Sequence, residues 1–365
     1  MGDTSLLRLI GVRKTNDPWV FEGVSLPGRA GNLQPIAYGG CAVGTAIISA
    51  GHTFSPEARL VPYSVVGQFL GPASLSQPFV CYVTPMRDTR TFVTRHVIVK
   101  QRSKKGDLRS VLALTLDMIA SPNSTKAALE KSRAENKHPA AVNSVLHYQP
   151  KPRKPTNNVE QLMDPDTYVA MRIERGEVDE SVVGIYQDFL DLWSKLFEGR
   201  VVEDNILSEN FMGMLNTDTS QDGLPLLERR SWDWFRAREP LSKNNGSETM
   251  SEASPDGLLP VSNTIAQTAC LALAMDGMLA FMPLSMAKLN LAAASAASSM
   301  DFALRLHSDV FDMNAWHLRE ARPVAAGWQR TFTEAMLYDE EGTLIASASQ
   351  QCVLRPAEGE PNAKM

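Results

Sequence analysis

The sequence of 365 residues contains few cysteines, and these few do not form a recognisable set. Cys41, Cys81, Cys270 and Cys352 stand singly in apolar surroundings, without a Cys-x-x-Cys pair or a nearby histidine at ligand spacing. The six histidines show no metal-ligand spacing among themselves. These absences argue against a metal site, a cofactor cluster or a disulfide framework, and they predict buried free thiols in a reducing compartment.

Long hydrophobic runs are also missing. The most apolar stretch, from Cys270 to Met282, is interrupted by Asp276 and is shorter than the about 18 residues that a membrane-spanning helix needs. It therefore predicts a buried helix and no membrane span. The segment from Met1 to Leu9 lacks the apolar core of a secretory signal.

The chain has no excess of basic residues, because its formal net charge is -5. This balance argues against a nucleic-acid-binding surface, which normally carries a concentrated basic footprint. Only the segment from Lys100 to Arg109 is locally basic. Because it includes Gly106 and Asp107 and lies between two apolar runs, it favours a solvated hairpin turn over a binding patch.

Two common catalytic motifs are absent. The chain has no Gly-x-Ser-x-Gly motif, which disfavours a Ser-His-Asp hydrolase. Gly39-Gly40 lacks the Lys-Ser/Thr context of a phosphate-binding loop, so these glycines favour close packing of a helix instead. Any hydrolytic chemistry is therefore expected to use other residues.

What the sequence does contain is an internal repeat. A helix of small residues from Tyr38 to Ile48 precedes four β-rich runs, which are Tyr63–Leu70, Phe79–Pro85, Phe92–Gln101 and Ser110–Ile119. The second half repeats this order, with an apolar helical run from Asn263 to Met282 and a closing hairpin of Thr331–Tyr338 and Leu344–Leu354. Two copies of one helix-and-antiparallel-sheet unit are the economical interpretation.

The repeats predict the organisation of the chain. We expect an N-terminal lobe over residues 1–150, a linker with a helical insertion over 151–225, and a C-terminal lobe over 226–356. The prolines between His147 and Thr156 mark the first boundary, and the apolar spacing from Ser181 to Phe197 predicts an inserted amphipathic helix. Residues 239–257 are predicted to form a disordered loop and residues 357–365 a flexible tail.

Motifs in the first half resemble those of the acyl-CoA thioesterase II family. The run Tyr38-Gly39-Gly40-Cys41-Ala42-Val43-Gly44 is similar to that family's aromatic-Gly-Gly-Gln-x-x-Gly helix start. The run Phe69-Leu70-Gly71-Pro72 is similar to its Phe-Leu-Arg-Pro, and residues 87–95 resemble its Arg-Asp-Gly-x-x-Phe-x-x-Arg. The resemblance implies an α+β double-hotdog fold, in which two antiparallel sheets each wrap a central helix, with a helical insertion between the repeats.

The second half resembles the same family at its catalytic positions. The family's helix Asp, hydroxyl residue and strand Gln fall on Asp276, Ser299 and Gln350, although Ser298 could fill the hydroxyl position equally well. His307 and Trp316 also fit the family pattern.

The chemistry of these residues suits thioester hydrolysis. A carboxylate within an apolar helix is costly to bury without partners, and a hydroxyl and a carboxamide can supply them. We expect Asp276, Ser299 and Gln350 to hold the attacking water, with Asp276 as general base. Backbone N–H groups near a central-helix start are expected to receive the oxyanion.

Two other functions are also considered. The family's Asp-His-Ser-Met-Trp-Phe-His reads Asp301-Phe302-Ala303-Leu304-Arg305-Leu306-His307 here, so acyl transfer to a small acceptor is one alternative to acyl-CoA hydrolysis. A non-catalytic acyl-CoA-binding module is the other. No cofactor is expected beyond the coenzyme A of the substrate.

The C-terminal tripeptide predicts a location. Ala363-Lys364-Met365 resembles the Ser-Lys-Leu address, which implies recognition by a peroxisomal import receptor; without it, a cytoplasmic location is expected. The family resemblance also implies a homo-oligomer.

Overall fold

The computed structural model describes residues 5–31, 34–54, 60–103, 105–120, 131, 134–135, 141–142, 144–154, 158–202, 204–241 and 254–357, with the backbone alone for Leu291. Its α-helices span Leu6–Leu9, Gly39–Gly51, Pro165–Glu174, Glu180–Leu196, Ile206–Glu209, Asn263–Asp276 and Met282–Met286. We call Gly39–Gly51 the first central helix, Asn263–Asp276 the second central helix and Glu180–Leu196 the insertion helix. Short 3-10 turns lie at Val159–Gln161, Leu226–Glu228 and Leu291–Ala293.

The strands of the described residues follow the predicted repeat. They are β1 (Val12–Lys14), β2 (Val20–Gly23), β3 (Leu60–Phe69), β4 (Val80–Asp88), β5 (Phe92–Arg102), β6 (Leu108–Ala120), β7 (Phe197–Val201), β8 (Ser231–Ala237), β9 (Ala294–Ser299), β10 (Asp301–Leu306), β11 (His317–Gly327), β12 (Arg330–Tyr338) and β13 (Leu344–Pro356). Every pair among them is antiparallel.

One continuous sheet contains both repeats. Its order is β1-β2-β4-β5-β6-β3-β10-β13-β12-β11-β8-β7, and β9 pairs with the end of β13. The first half therefore runs β2-β4-β5-β6-β3 and the second half runs β8-β11-β12-β13-β10, which is the same order of strands. Along the chain, the first central helix follows β2 and precedes β3, and the second central helix follows β8 and precedes β10. The structure is therefore one unit used twice.

Alternating burial explains which face of the sheet each central helix covers. In β5 the side chains alternate between buried and partly exposed along almost the whole strand, and β12 does the same. A strand that buries every second residue has one face on the core and one face toward solvent. The buried faces of both halves enclose the two central helices in a single core.

The two central helices lie against each other in the middle of this core. A Cβ atom added to Gly40 would lie 2.8 Å from the backbone oxygen of Leu273, so only glycine allows the helices to approach this closely. The hydroxyl of Tyr38 donates a hydrogen bond to the same Leu273 oxygen at 2.5 Å. The start of the first central helix is thereby fixed against the end of the second.

The insertion helix packs one apolar face on the molecule. Asp179 caps its start, because the carboxylate accepts a hydrogen bond from the Ser181 backbone N–H at 2.8 Å. The residues that it buries are Val183, Phe189, Leu192 and Leu196. This agrees with the amphipathic helix expected between the repeats, whereas the exact boundaries at residues 150 and 225 stay predictions.

The second central helix is shorter than its apolar run predicts. That run predicts a helix as far as Met282, but the helix ends at Asp276 because Gly277 is extended and Met278 has a φ of 75°. A separate short helix then begins at Met282.

Some predicted segments lie outside the described residues, namely residues 242–253 of the expected loop and residues 358–365 of the expected tail. Within the described ranges, none of the helices combines the length and the apolar character that crossing a membrane requires.

Candidate active site

Asp276 occupies the last position of the second central helix, beside the first turn of the other central helix. Its side chain is 5% exposed, and Oδ1 accepts a hydrogen bond from Gln350 Nε2 at 2.6 Å. Oδ2 lies close to Gly39, since a Cβ atom there would come within 2.8 Å of it. The carboxylate therefore lies where the two lobes meet.

The environment of Asp276 favours a carboxyl group that titrates near neutrality. Burial raises its pKa to about 7, and hydrogen bonds from Gln350 and from the Gly40 backbone N–H oppose this rise. The positive end of the first central helix acts in the same direction as these hydrogen bonds. A group with this pKa can both accept and return a proton at physiological pH.

Gln350 lies on the buried face of β13 and is fully buried. Its amide nitrogen donates to Asp276, and its Oε1 accepts a hydrogen bond from Cys352 Sγ at 3.6 Å. These two contacts orient the amide, so that the NH₂ group points toward the carboxylate.

Ser299 lines the same cavity as Asp276 but contacts a different group. It lies opposite Cys352 in the β9–β13 pairing, and its hydroxyl lowers the pKa of the Cys352 thiol, although burial raises that pKa more strongly. Ser298 also lines the cavity, but its pairing partner is Val353. Because neighbouring strand residues point to opposite faces, Ser299 rather than Ser298 shares the face of Gln350.

The structure thus brings Asp276 and Gln350 into direct contact and places Ser299 on the wall of the same cavity. His307 and Trp316 do not line it. Instead, His307 hydrogen-bonds to Ser347 and Trp316 hydrogen-bonds to Glu160.

The cavity has a volume of about 290 Å³ and runs between the lobes. One end is open, because Leu70, Pro72 and Ser298 line it and are exposed. The other end is closed by aromatic rings, with Phe189 of the insertion helix packed edge to face on Phe281 at 4.8 Å. Asp276 lines this same cavity, which is exposed at one end and closed by aromatic rings at the other.

Arg319 is an important residue that the sequence did not reveal. It is 1% exposed, forms two 2.9 Å hydrogen bonds to Asp233, and donates to the backbone oxygens of Ala274 and Gly277 at 2.8 and 3.2 Å. It therefore caps the helix end that carries Asp276. The signal that identifies Arg319 is structural, since Arg319 and Asp233 are directly paired across β11 and β8.

In the described part of the chain, no group of three or more histidine, cysteine, aspartate or glutamate residues could hold a metal ion. All four cysteines are free and buried.

Two family models match the chain. The acyl-CoA thioesterase N-terminal domain matches residues 26–119, and the acyl-CoA thioesterase C-terminal domain matches residues 202–354. Together they account for more than half of the sequence. No curated protein sequence matches.

Solved structures share the fold over nearly their whole length. An acyl-CoA thioesterase II, TesB2, from Mycobacterium marinum is 19% identical, with a TM-score of 0.60, and the match covers 98% of this chain and 100% of that one. A tesB protein from Mycobacterium avium subspecies paratuberculosis is 14% identical, with a TM-score of 0.58 and coverage of 97% and 100%. A hot dog fold protein of unknown function from Alicyclobacillus acidocaldarius is 14% identical, with a TM-score of 0.57 and coverage of 96% and 98%. The predicted double-hotdog fold is confirmed.

Proposed function

Because this chain belongs to the acyl-CoA thioesterase family and is a thioester hydrolase, we propose that it cleaves acyl-CoA by direct attack of a water molecule activated by Asp276. The observation that supports this most strongly is the buried Asp276 carboxylate, with a pKa raised to about 7 and a 2.6 Å hydrogen bond from Gln350. A carboxylate in this state is suited to general-base catalysis.

In the proposed reaction, Asp276 removes a proton from water while the water oxygen bonds to the thioester carbonyl carbon. Gln350 orients the carboxylate, and Ser299 offers a second polar contact to the water. A backbone N–H at the start of the first central helix, near Gly39, receives the oxyanion, whereas the Gly40 N–H already donates to Asp276. Collapse of the intermediate breaks the C–S bond, and the thiolate takes the proton from Asp276.

The experiment is a thiol-release assay across acyl-CoA chain lengths, with the products identified as free acids. Asp276→Asn should lower kcat by at least about 100-fold, because a positioned general base contributes about 10² to 10⁴. Gln350→Ala and Ser299→Ala should lower it less, and Ser298→Ala is the matched control because its side chain faces away from Gln350.

Two results would contradict the mechanism. One is a wild-type protein without activity on any thioester, and the other is an Asp276→Asn variant with full activity. Formation of an ester or amide with an added acceptor, in place of the free acid, would favour acyl transfer. We propose that no cofactor is needed, so chelators should leave the rate unchanged.

We also propose that Ala363-Lys364-Met365 directs the protein to peroxisomes and that the protein is a homo-oligomer, both on the sequence resemblances alone. A fluorescent fusion that keeps this tripeptide at its C-terminus should be imported, and deletion of the tripeptide should abolish import. Light scattering of the purified chain measures the oligomeric state.

A further inference from the structure

A basic hairpin lies beside the mouth of the cavity. The segment from Lys100 to Arg109, which ends β5 and begins β6, contains five lysines and arginines and one aspartate, in a chain whose net charge is -5. The sequence alone favoured a solvated turn for this segment. Because the hairpin lies beside the cavity, its positive charge also acts on a substrate that enters there.

Hydrogen bonds attach this hairpin to the mouth. The amide of Gln101, which is 4% exposed, donates to the backbone oxygens of Ser74 and Gln77 at 2.9 and 2.7 Å and accepts from the Ser74 N–H at 2.7 Å. The preceding residues, Gly71 to Ala73, line the cavity. The hairpin and the mouth are therefore one structural unit.

Among the described side chains of the hairpin, that of Arg109 lies next to Gly71 at the mouth. A Cβ atom added to Gly71 would lie 3.0 Å from Arg109 Nη2, and apart from the adjoining residues of the chain no other heavy atom would lie within 4 Å. Arg109 is exposed and forms no ion pair with an acidic group of the described residues, whereas Lys100 lies over the ring of Tyr82 at 4.6 Å. Gly71 stands where the similar Phe-Leu-Arg-Pro motif has arginine, so Arg109 supplies a guanidinium at that place from a neighbouring strand.

We infer that Arg109 binds the phosphate groups of coenzyme A, an inference that rests on the proposed acyl-CoA hydrolysis. The thioester must enter the cavity to reach Asp276, which leaves the nucleotide part of the substrate outside the exposed end near Leu70 and Pro72. That part carries a diphosphate and a phosphomonoester. An unpaired guanidinium binds phosphate oxygens in a bidentate manner, and the surrounding positive charge adds attraction.

The test compares an acyl-CoA with the acyl-pantetheine thioester of the same acid, which lacks all phosphates. Arg109→Ala should raise KM for the acyl-CoA about tenfold, as expected for loss of a charge-assisted hydrogen bond, and should leave KM for the acyl-pantetheine within about twofold. Adding Gly71→Arg to Arg109→Ala should restore the lower KM, because the space next to Gly71 is then empty. Arg90→Ala is the matched control, since Arg90 is exposed, has no ion pair within the described ranges and lies at the opposite end of β5.

Calorimetric titration with free coenzyme A and with pantetheine tests the same contact without turnover. Arg109→Ala should weaken coenzyme A binding about tenfold and leave pantetheine binding unchanged. Equal effects on both ligands, no effect on either, or an equal effect of Arg90→Ala would overturn the role of Arg109. Arg109-dependent binding of coenzyme A by a wild-type protein that hydrolyses nothing would support the inference and contradict the proposed hydrolysis alone.

Discussion

Asp276 lies at a helix end, where the helix dipole alone would disfavour a negative charge. The adjoining start of the first central helix and the Gln350 amide offset this in part, and burial leaves the pKa at about 7.

Since the base must be ionised to act, kcat/KM should fall as pH drops through about 7. Gln350→Ala should move this acid limb to higher pH, because the lost hydrogen bond stabilised the charged form; Ser298→Ala should leave it in place. A pH-rate profile of the three proteins measures this, and an unmoved limb in Gln350→Ala would argue against Asp276 as the base.

The same pKa has a consequence for stability. The folded-state pKa of Asp276 is raised above its unfolded value near 3.9, so the folded protein binds the proton more tightly, and stability is lost as pH rises toward 7. Asp276→Asn removes this loss while keeping an oxygen for Gln350. Between pH 5 and pH 8 the wild type should therefore lose about 2 to 3 kcal/mol more than the variant in the free energy of unfolding. Parallel denaturant titrations at the two pH values give this difference, and equal losses would show that the carboxyl group is not destabilised by burial.

At the level of single residues, sequence patterns identify the residues proposed to take part in the reaction more readily than the residues that hold them in position. Asp276 stands out as the one acidic residue in an apolar run, and Gln350 follows from the family motif. Arg319 does not stand out, because an arginine in a strand is normally on the surface, and only the pairing of β8 with β11 shows that it meets Asp233. The contact between Ser299 and Cys352 likewise depends on a strand register that no local pattern specifies.

The insertion helix forms part of the cavity wall, which gives it a role in substrate selection. Phe189 closes the floor against Phe281, while Leu192 of the same helix packs near Gly28 and does not line the cavity. Because the ring of Phe189 stands at the closed end, its size limits the length of the acyl chain that the cavity accepts.

Phe189→Ala should open the floor and shift the chain-length optimum of kcat/KM to longer acyl groups. Leu192→Ala should destabilise the protein by a similar amount, about 2 to 5 kcal/mol, without moving the optimum. A panel of acyl-CoA substrates measured for both variants checks this. The same shift in both would mean that general loosening of the helix, rather than the floor, sets the preference.

For whole elements, strands and amphipathic helices are predictable where burial alternates with a clear period. β5, β6, β12 and β13 each begin and end within two residues of the predicted runs, because alternating side chains mark their two faces. The end of the second central helix is not predictable in this way. The apolar residues continue past Asp276, and the helix ends where Gly277 turns away and Arg319 caps the carbonyl groups, which is a tertiary contact.

On the scale of the whole molecule, the two lobes are joined by a strand pair and a helix pair. β3 and β10 are neighbours in one sheet although they are far apart in sequence. This pairing depends on how the two lobes pack together, and no local sequence pattern predicts it. The duplication itself is predictable, since the order of elements repeats. The way the copies meet is what brings Asp276 of one lobe to the helix start of the other.

This arrangement makes Gly40 a critical position for both stability and activity. A methyl group there would lie 2.5 Å from the Tyr38 ring and 2.8 Å from the Leu273 backbone oxygen, and that oxygen belongs to a buried helix that cannot move freely. Gly40→Ala should therefore lower the free energy of unfolding by about 1 to 3 kcal/mol and should lower kcat, because separating the helices displaces Asp276 from its contacts. Gly184→Ala is the matched control. Gly184 lies in the insertion helix, and a Cβ atom added there would meet no atom from outside that helix segment within 4 Å. Alanine at this position should stabilise the protein by about 0.5 to 1 kcal/mol and leave kcat unchanged. Denaturant unfolding and the thiol-release assay measure the free energy of unfolding and kcat of both variants. Wild-type values of both quantities in Gly40→Ala would mean that the site forms without this close approach of the two helices.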